Sequence, residues 1–555
     1  MIRPVRVVPR ALLATAVAMS LLVSASTSAH ATVYAQIEGT GSTWSELIVQ
    51  QWIADVDANG MKVVYTGGGS TKGRKDFSQD STDFAISEIP YQGADERGQA
   101  DTSNGREFAY LPIVAGGTAF TYQLKVGNEL VRNLRLSGET LAKIFTNQIT
   151  NWNDPAITKD NNGRKFPSVP IVPVVRSDGS GTTAQLTTWM DKQYPNIWRP
   201  YFGQSGLTSY YPKKGDRMVS QAGSDQVMNT IKGFAGNGMI GYVEYSYPIN
   251  ANYPVVKVEN KAGYFVEPTQ YNTAVALTKA QINRDKNSQL YLTQILDGVY
   301  DNPDPRAYPI SSYSYMIIPT GSQDPRMSTA KRQTLADFMY YSLCAGQTKA
   351  GSYGYSSLPL NLVQAGFEQL AKLKQADPKV DLSERDVRSC NNPTFDGKNL
   401  NRNVLADKAP QPAACDKANA GPCGTETGTG KPSTDDDTSG DGATDGGAGD
   451  GSGGGDGTGD GTGGGGPGAD PGNAPTGDTP PSVDPATGEV AGSGTTATTD
   501  GAAIYANPTE LASARTSDDK TFGWLAVLEL LALVLLPGLY VVTMRRRRER
   551  TGARA

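Results

Sequence analysis

Three glycine-rich segments that run into serine or threonine constrain this chain most: Gly39-Thr40-Gly41-Ser42-Thr43-Trp44, Gly67-Gly68-Gly69-Ser70-Thr71 and Arg176-Ser177-Asp178-Gly179-Ser180-Gly181-Thr182. Each follows a strand-like run or opens a helical pattern. Strand-like runs at residues 62–65, 84–86 and 171–175 alternate with helical patterns at 45–53 and 140–146. That alternation predicts an α/β fold. Amide groups at a helix start carry partial positive charge, glycine admits a close backbone approach, and hydroxyls add donors without net charge. One such segment is an ordinary N-cap. Three of them, one with an arginine able to grip an anion bidentately, predict a site for a tetrahedral oxyanion. Open α/β sheets bind ligands beyond the carboxyl ends of their strands, where these segments fall.

The ends of the chain predict its location. Arg3, Arg6 and Arg10, an apolar run at 11–23 and Ala29-His30-Ala31 read as a signal peptide over 1–31. Residues 521–544 are almost unbroken apolar sequence, long enough to cross a bilayer as one helix, and stop at Arg545, Arg546, Arg547 and Arg548. The positive-inside rule puts the basic tail, 545–555, in the cytoplasm and everything before the span outside the cell. Residues 424–520 are rich in Gly, Asp and Thr and too poor in large apolar residues to offset chain entropy, so they are expected to form a disordered tether. The stretch 32–374 has ordinary globular composition and exceeds the usual size of a single core, which predicts two lobes.

Between lobes and tether lies an extension, 375–423. It holds Cys390, Cys415 and Cys423, and with Cys344 these are the chain's 4 cysteines. An even number in an oxidising compartment predicts two disulfides, with Cys415–Cys423 closing a short loop and Cys344–Cys390 a longer one, although four cysteines allow other pairings. The single histidine, His30, leaves with the signal peptide. Histidine-based general-base catalysis, Ser-His-Asp triads and most zinc sites are thereby excluded, so no enzyme activity, metal or cofactor is expected. A net charge of −5 gives no reason to expect a nucleic-acid partner.

Further stretches are Thr82-Asp83-Phe84-Ala85-Ile86-Ser87-Glu88, Trp152-Asn153-Asp154-Pro155, Gly238-Met239-Ile240-Gly241-Tyr242-Val243-Glu244-Tyr245 and Tyr353-Gly354-Tyr355-Ser356-Ser357-Leu358-Pro359. Together with the three glycine-rich segments they make the chain resemble the periplasmic phosphate-binding proteins, the substrate-binding subunits of phosphate ABC transporters. The resemblance implies a two-lobed clamshell of the type II binding-protein fold, with one lobe from 32–111 and 307–374 and the other from 112–306. It implies inorganic phosphate as ligand, held by Ser42, Thr43, Trp44, Ser70, Ser180, Gly181 and Thr182 as donors and by Arg176, which Asp178 orients. An ABC permease is the implied partner, with the C-terminal helix as membrane anchor; a surface phosphate sensor or adhesion module is the alternative. Glu88 stands where the family places an aspartate that accepts a hydrogen bond from protonated phosphate. An ionised carboxylate only accepts, so the longer Glu88 is expected either to shift the cleft or to change selectivity.

Overall fold

The computed structural model describes residues 34–423, apart from positions 96, 384, 386, 388, 389 and 401. The predicted signal peptide, tether, membrane span and basic tail lie outside the described residues. Among the described residues no helix is long and apolar enough to cross a membrane.

Eight strands build the main sheet: β1 (Ile37–Gly41), β2 (Val63–Gly67), β3 (Phe84–Ser87), β4 (Phe108–Tyr122), β5 (Val172–Arg176), β6 (Val219–Gln221), β7 (Met239–Glu244) and β8 (Ser311–Pro319). Their order is β6-β5-β7-β4-β8-β3-β1-β2. One wing sets β1 parallel between β2 and β3. The other sets β5 parallel between β6 and β7. Antiparallel β4 and β8 join them. β4 pairs with β8 over residues 108–117 and with β7 over 118–122, so a single strand passes from one wing into the other.

Burial follows position in the sheet. Strand β8 and all of β4 except Phe108 are buried, as expected for strands covered on both faces. At the edge, β2 turns Val63 and Tyr65 inward and leaves Val64 45% exposed. Helices cover the faces. In α1 (Glu46–Asp57), Ile48, Val49, Trp52 and Val56 share the buried stripe, a helical spacing that runs past the predicted end at 53. Further helices used below are α2 (Ser70–Ser78), α3 (Gly181–Gln193), α4 (Gly223–Lys232) and α5 (Thr329–Leu343).

Register brings the functional loops together. Gly41 sits level with Gly67 and Ile86, so the chain leaves β1, β2 and β3 side by side. In the other wing Arg176 lies opposite Gln221, which sets the segment after β5 beside the start of α4. Both expected disulfides, Cys344–Cys390 and Cys415–Cys423, are present. The extension begins at α5, where Arg385 pairs with Asp337 at 2.5 Å and Gln333 binds the Asp381 backbone at 2.7 and 3.0 Å. It ends against residues that follow β4: Arg135 donates to the Cys415 carbonyl at 3.0 Å, and Lys257 pairs with Asp416 at 2.7 Å.

Candidate functional site

The first wing supplies a carboxylate wrapped in hydroxyls. Glu88, just past β3, is 1% exposed. Its Oε1 accepts hydrogen bonds from the Ser42 hydroxyl and, at 2.6 Å, from Ser314 on β8. Its Oε2 accepts from Ser70 at 2.5 Å. Those hydroxyls in turn accept amides: Ser42 Oγ takes Trp44 N–H at 3.0 Å and Ser45 N–H at 3.4 Å, and Ser70 Oγ takes Gly181 N–H from the other wing at 3.1 Å. Glycine is required where the wings touch. Gly69 has φ +91°, and a Cβ there would lie 2.4 Å from Asp178 Oδ2.

The second wing supplies the cation. Arg176 is 2% exposed at the end of β5. Its Nε donates to Asp178 Oδ1 at 2.7 Å, its Nη2 to Asp178 Oδ2, and its Nη1 to Ser224 Oγ at 3.2 Å. The second proton on each terminal nitrogen remains for a ligand. Burial opposes the charge on Arg176, but the hydrogen bonds and charge of Asp178 outweigh it and hold its pKa above the usual guanidinium value. Asp178 also accepts Gly223 N–H at 3.1 Å, so it braces the first turn of α4 as well as the guanidinium. Ser180 caps α3, its Oγ accepting Thr183 N–H at 3.1 Å. Thr182 Oγ1 is buried and has no hydrogen-bond partner among the described residues. Such an orphaned hydroxyl costs free energy unless something meets it.

The ten sequence-predicted residues belong to adjoining parts of the molecule; eight fall into two networks, while Ser180 caps α3 and Thr182 Oγ1 is unpartnered. Ser42, Trp44, Ser70, Glu88 and Gly181 form one; Arg176 and Asp178, with Thr43 through Ser224, form the other. Thr43 Oγ1 lies 3.1 Å from Ser224 Oγ and accepts Ser224 N–H at 3.2 Å. Ser224 was not singled out in the sequence, although Gly223-Ser224 opens a helix in the manner of the three segments that were. Ser314 carried no signal, being one of three serines within a buried strand. Three tyrosines were also missed. Tyr65 donates to the Ser42 carbonyl at 2.8 Å, Tyr247 to Thr43 and Tyr355 to Trp44 at 2.7 Å, so three successive carbonyls face away from the site. Burial raises the pKa of all three hydroxyls and keeps them donors.

Two parallel wings on a crossing strand, with polar loops from both meeting at the strand ends, define an α/β ligand-binding protein. The family model described as the PBP superfamily domain matches residues 26–345. Phosphate-binding protein PstS of Methanocaldococcus jannaschii is 30% identical over 348 residues, 61% of this chain and 86% of that protein. Phosphate-binding protein PstS of Xylella fastidiosa (strain Temecula1) is 30% identical over 339 residues, 61% of this chain and 85% of that protein. The chain belongs to the PBP superfamily and, within it, to the family of these PstS proteins. A solved periplasmic phosphate-binding protein with bound phosphate overlays at a TM-score of 0.47 and 19% identity, covering 60% of this chain and 92% of that one.

Proposed function

We propose that this chain captures inorganic phosphate outside the cell and hands it to an ABC-type importer, breaking no bond. The observation that carries this reading is a buried guanidinium braced by Asp178 against the first turn of α4, with Thr182 Oγ1 buried and unpartnered in the first turn of α3. Relatives named as phosphate-binding proteins support the choice of anion. Phosphate is held between two lobes, 32–111 with 307–374 and 112–306. Thr43, Trp44, Ser42 and Ser70 reach it from one lobe, Arg176, Ser180, Gly181 and Thr182 from the other, while Asp178 orients Arg176 and Glu88 accepts a hydrogen bond from protonated phosphate. Residues 521–544 anchor the protein, and 424–520 give the binding lobes reach from the membrane.

Calorimetry of the full-length chain with phosphate, arsenate and sulfate tests the reading. Wild type is expected to bind phosphate at micromolar affinity or tighter, and Arg176→Ala to lose about 3 kcal/mol or more, because a dehydrated anion loses its charge-assisted partner. Unchanged affinity in that variant sinks the site assignment.

A further inference from the structure

Resting on the phosphate reading, we propose that the Glu88 carboxylate is a built-in anion that competes with the external oxyanion for one set of donors. Ser42 and Ser70 each donate their only hydroxyl proton to Glu88, while Ser314 donates to Oε1 at 2.6 Å. Behind them, Trp44 N–H and Gly181 N–H are committed to the oxygens of Ser42 and Ser70 at 3.0 and 3.1 Å. Two hydroxyls and two amides suited to a bound oxyanion are thus arranged around a side chain of the protein itself. The carboxylate also reaches the positive end of α3: Oε2 lies 2.0 Å from where a Cβ on Gly181 would stand.

The charge of Glu88 is met in the same way as that of a dehydrated ligand. Among the described residues no ion pair reaches it, so neutral donors carry it alone. Its backbone is pinned, the Glu88 carbonyl accepting Gln185 Nε2 at 2.9 Å and Gln294 Nε2 at 3.1 Å. Only the side chain is left to move. Binding therefore means turning the Ser42 and Ser70 hydroxyls from Glu88 to the ligand, and the carboxylate that loses them stays buried beside a second anion. An oxyanion that brings its own proton resupplies a donor to Glu88; sulfate at neutral pH does not. One methylene less would withdraw the carboxylate from α3 and leave the donors to the ligand.

Phosphate and sulfate calorimetry on the full-length chain, with the melting temperature of each variant read without ligand, tests this. Glu88→Asp is expected to bind phosphate about tenfold tighter than wild type while still rejecting sulfate, and Glu88→Gln, with an amide donor, to admit sulfate. Ser314→Ala removes the donor that Glu88 keeps when Ser42 and Ser70 turn to the ligand, so the carboxylate holds those two harder, and phosphate binding is expected to weaken about threefold in the wild-type background and to change little in Glu88→Asp. A merely structural role for Ser314 predicts the same loss in both backgrounds. Phosphate binding that Glu88→Asp leaves equal to or weaker than wild type overturns the competition and leaves the phosphate reading standing. No phosphate binding by wild type or any variant overturns both.

Discussion

Gly181 has less room for a Cβ than Gly69, Gly179 or Gly223 beside it. A Cβ there would meet Glu88 Oε2 at 2.0 Å and Ser70 Oγ at 2.5 Å, and neither can retreat without releasing a hydrogen bond. Gly181→Ala is expected to destabilise the fold by about 1–3 kcal/mol, as overpacking does, and to abolish phosphate heat. Denaturant unfolding with calorimetry checks this; a variant as stable as wild type would mean that Glu88 is free to swing away. The sequence showed that glycine was needed for a close approach at this position. What approaches was not legible, because the partner is a glutamate 93 positions earlier in the chain, brought there by the packing of two wings. The same holds for Ser314, whose role depends wholly on the strand beside it.

Among elements, β7 ends in a fully buried acid with one unpartnered oxygen. Glu244 is fully buried; its Oε2 accepts Ser246 N–H at 2.5 Å while Oε1 has no partner. Burial pushes its pKa well above the ordinary value of 4.5. The folded state therefore holds a proton that the unfolded chain releases first. Its contribution to stability is complete below pH 4.5 and drains away as pH rises toward the folded pKa. Glu244→Gln keeps the shape without the titration, so its melting temperature should gain on wild type as pH rises above 4.5. A gap that does not widen with pH would show that Glu244 is not held protonated. Three of the eight strands were readable at this scale, strand-like runs locating β2, β3 and β5, and the apolar stripe located α1 to within a turn. The tyrosine clamp on Ser42, Thr43 and Trp44 was not, since hydroxyl-to-carbonyl bonds between distant elements leave no local pattern.

At the scale of the whole molecule, the extension acts as a strap. It is fixed near α5 by Asp337, Gln333 and the Cys344–Cys390 disulfide, and at its other end by Arg135, Lys257 and Asn133, the last donating to the Cys423 carbonyl at 2.9 Å. Composition marked this stretch only as cysteine-bearing, because its partners belong to elements 40 to nearly 300 positions away, as the 290-residue separation of Asn133 and Cys423 shows. Its two cross-links should differ in weight. Closing a loop removes unfolded-chain entropy in proportion to the logarithm of its length, so the bridge spanning 46 positions is worth about 4 kcal/mol and that spanning 8 about 2.5 kcal/mol. The Cys344→Ser, Cys390→Ser double variant should therefore melt lower than the Cys415→Ser, Cys423→Ser one. Phosphate affinity should change little in either, because no described strap residue hydrogen-bonds to Arg176, Asp178 or Glu88. Thermal melts of the two double variants, with and without phosphate, decide it: a larger loss from the short bridge would mean that the strap's grip on Arg135 and Lys257, and not chain entropy, governs its contribution.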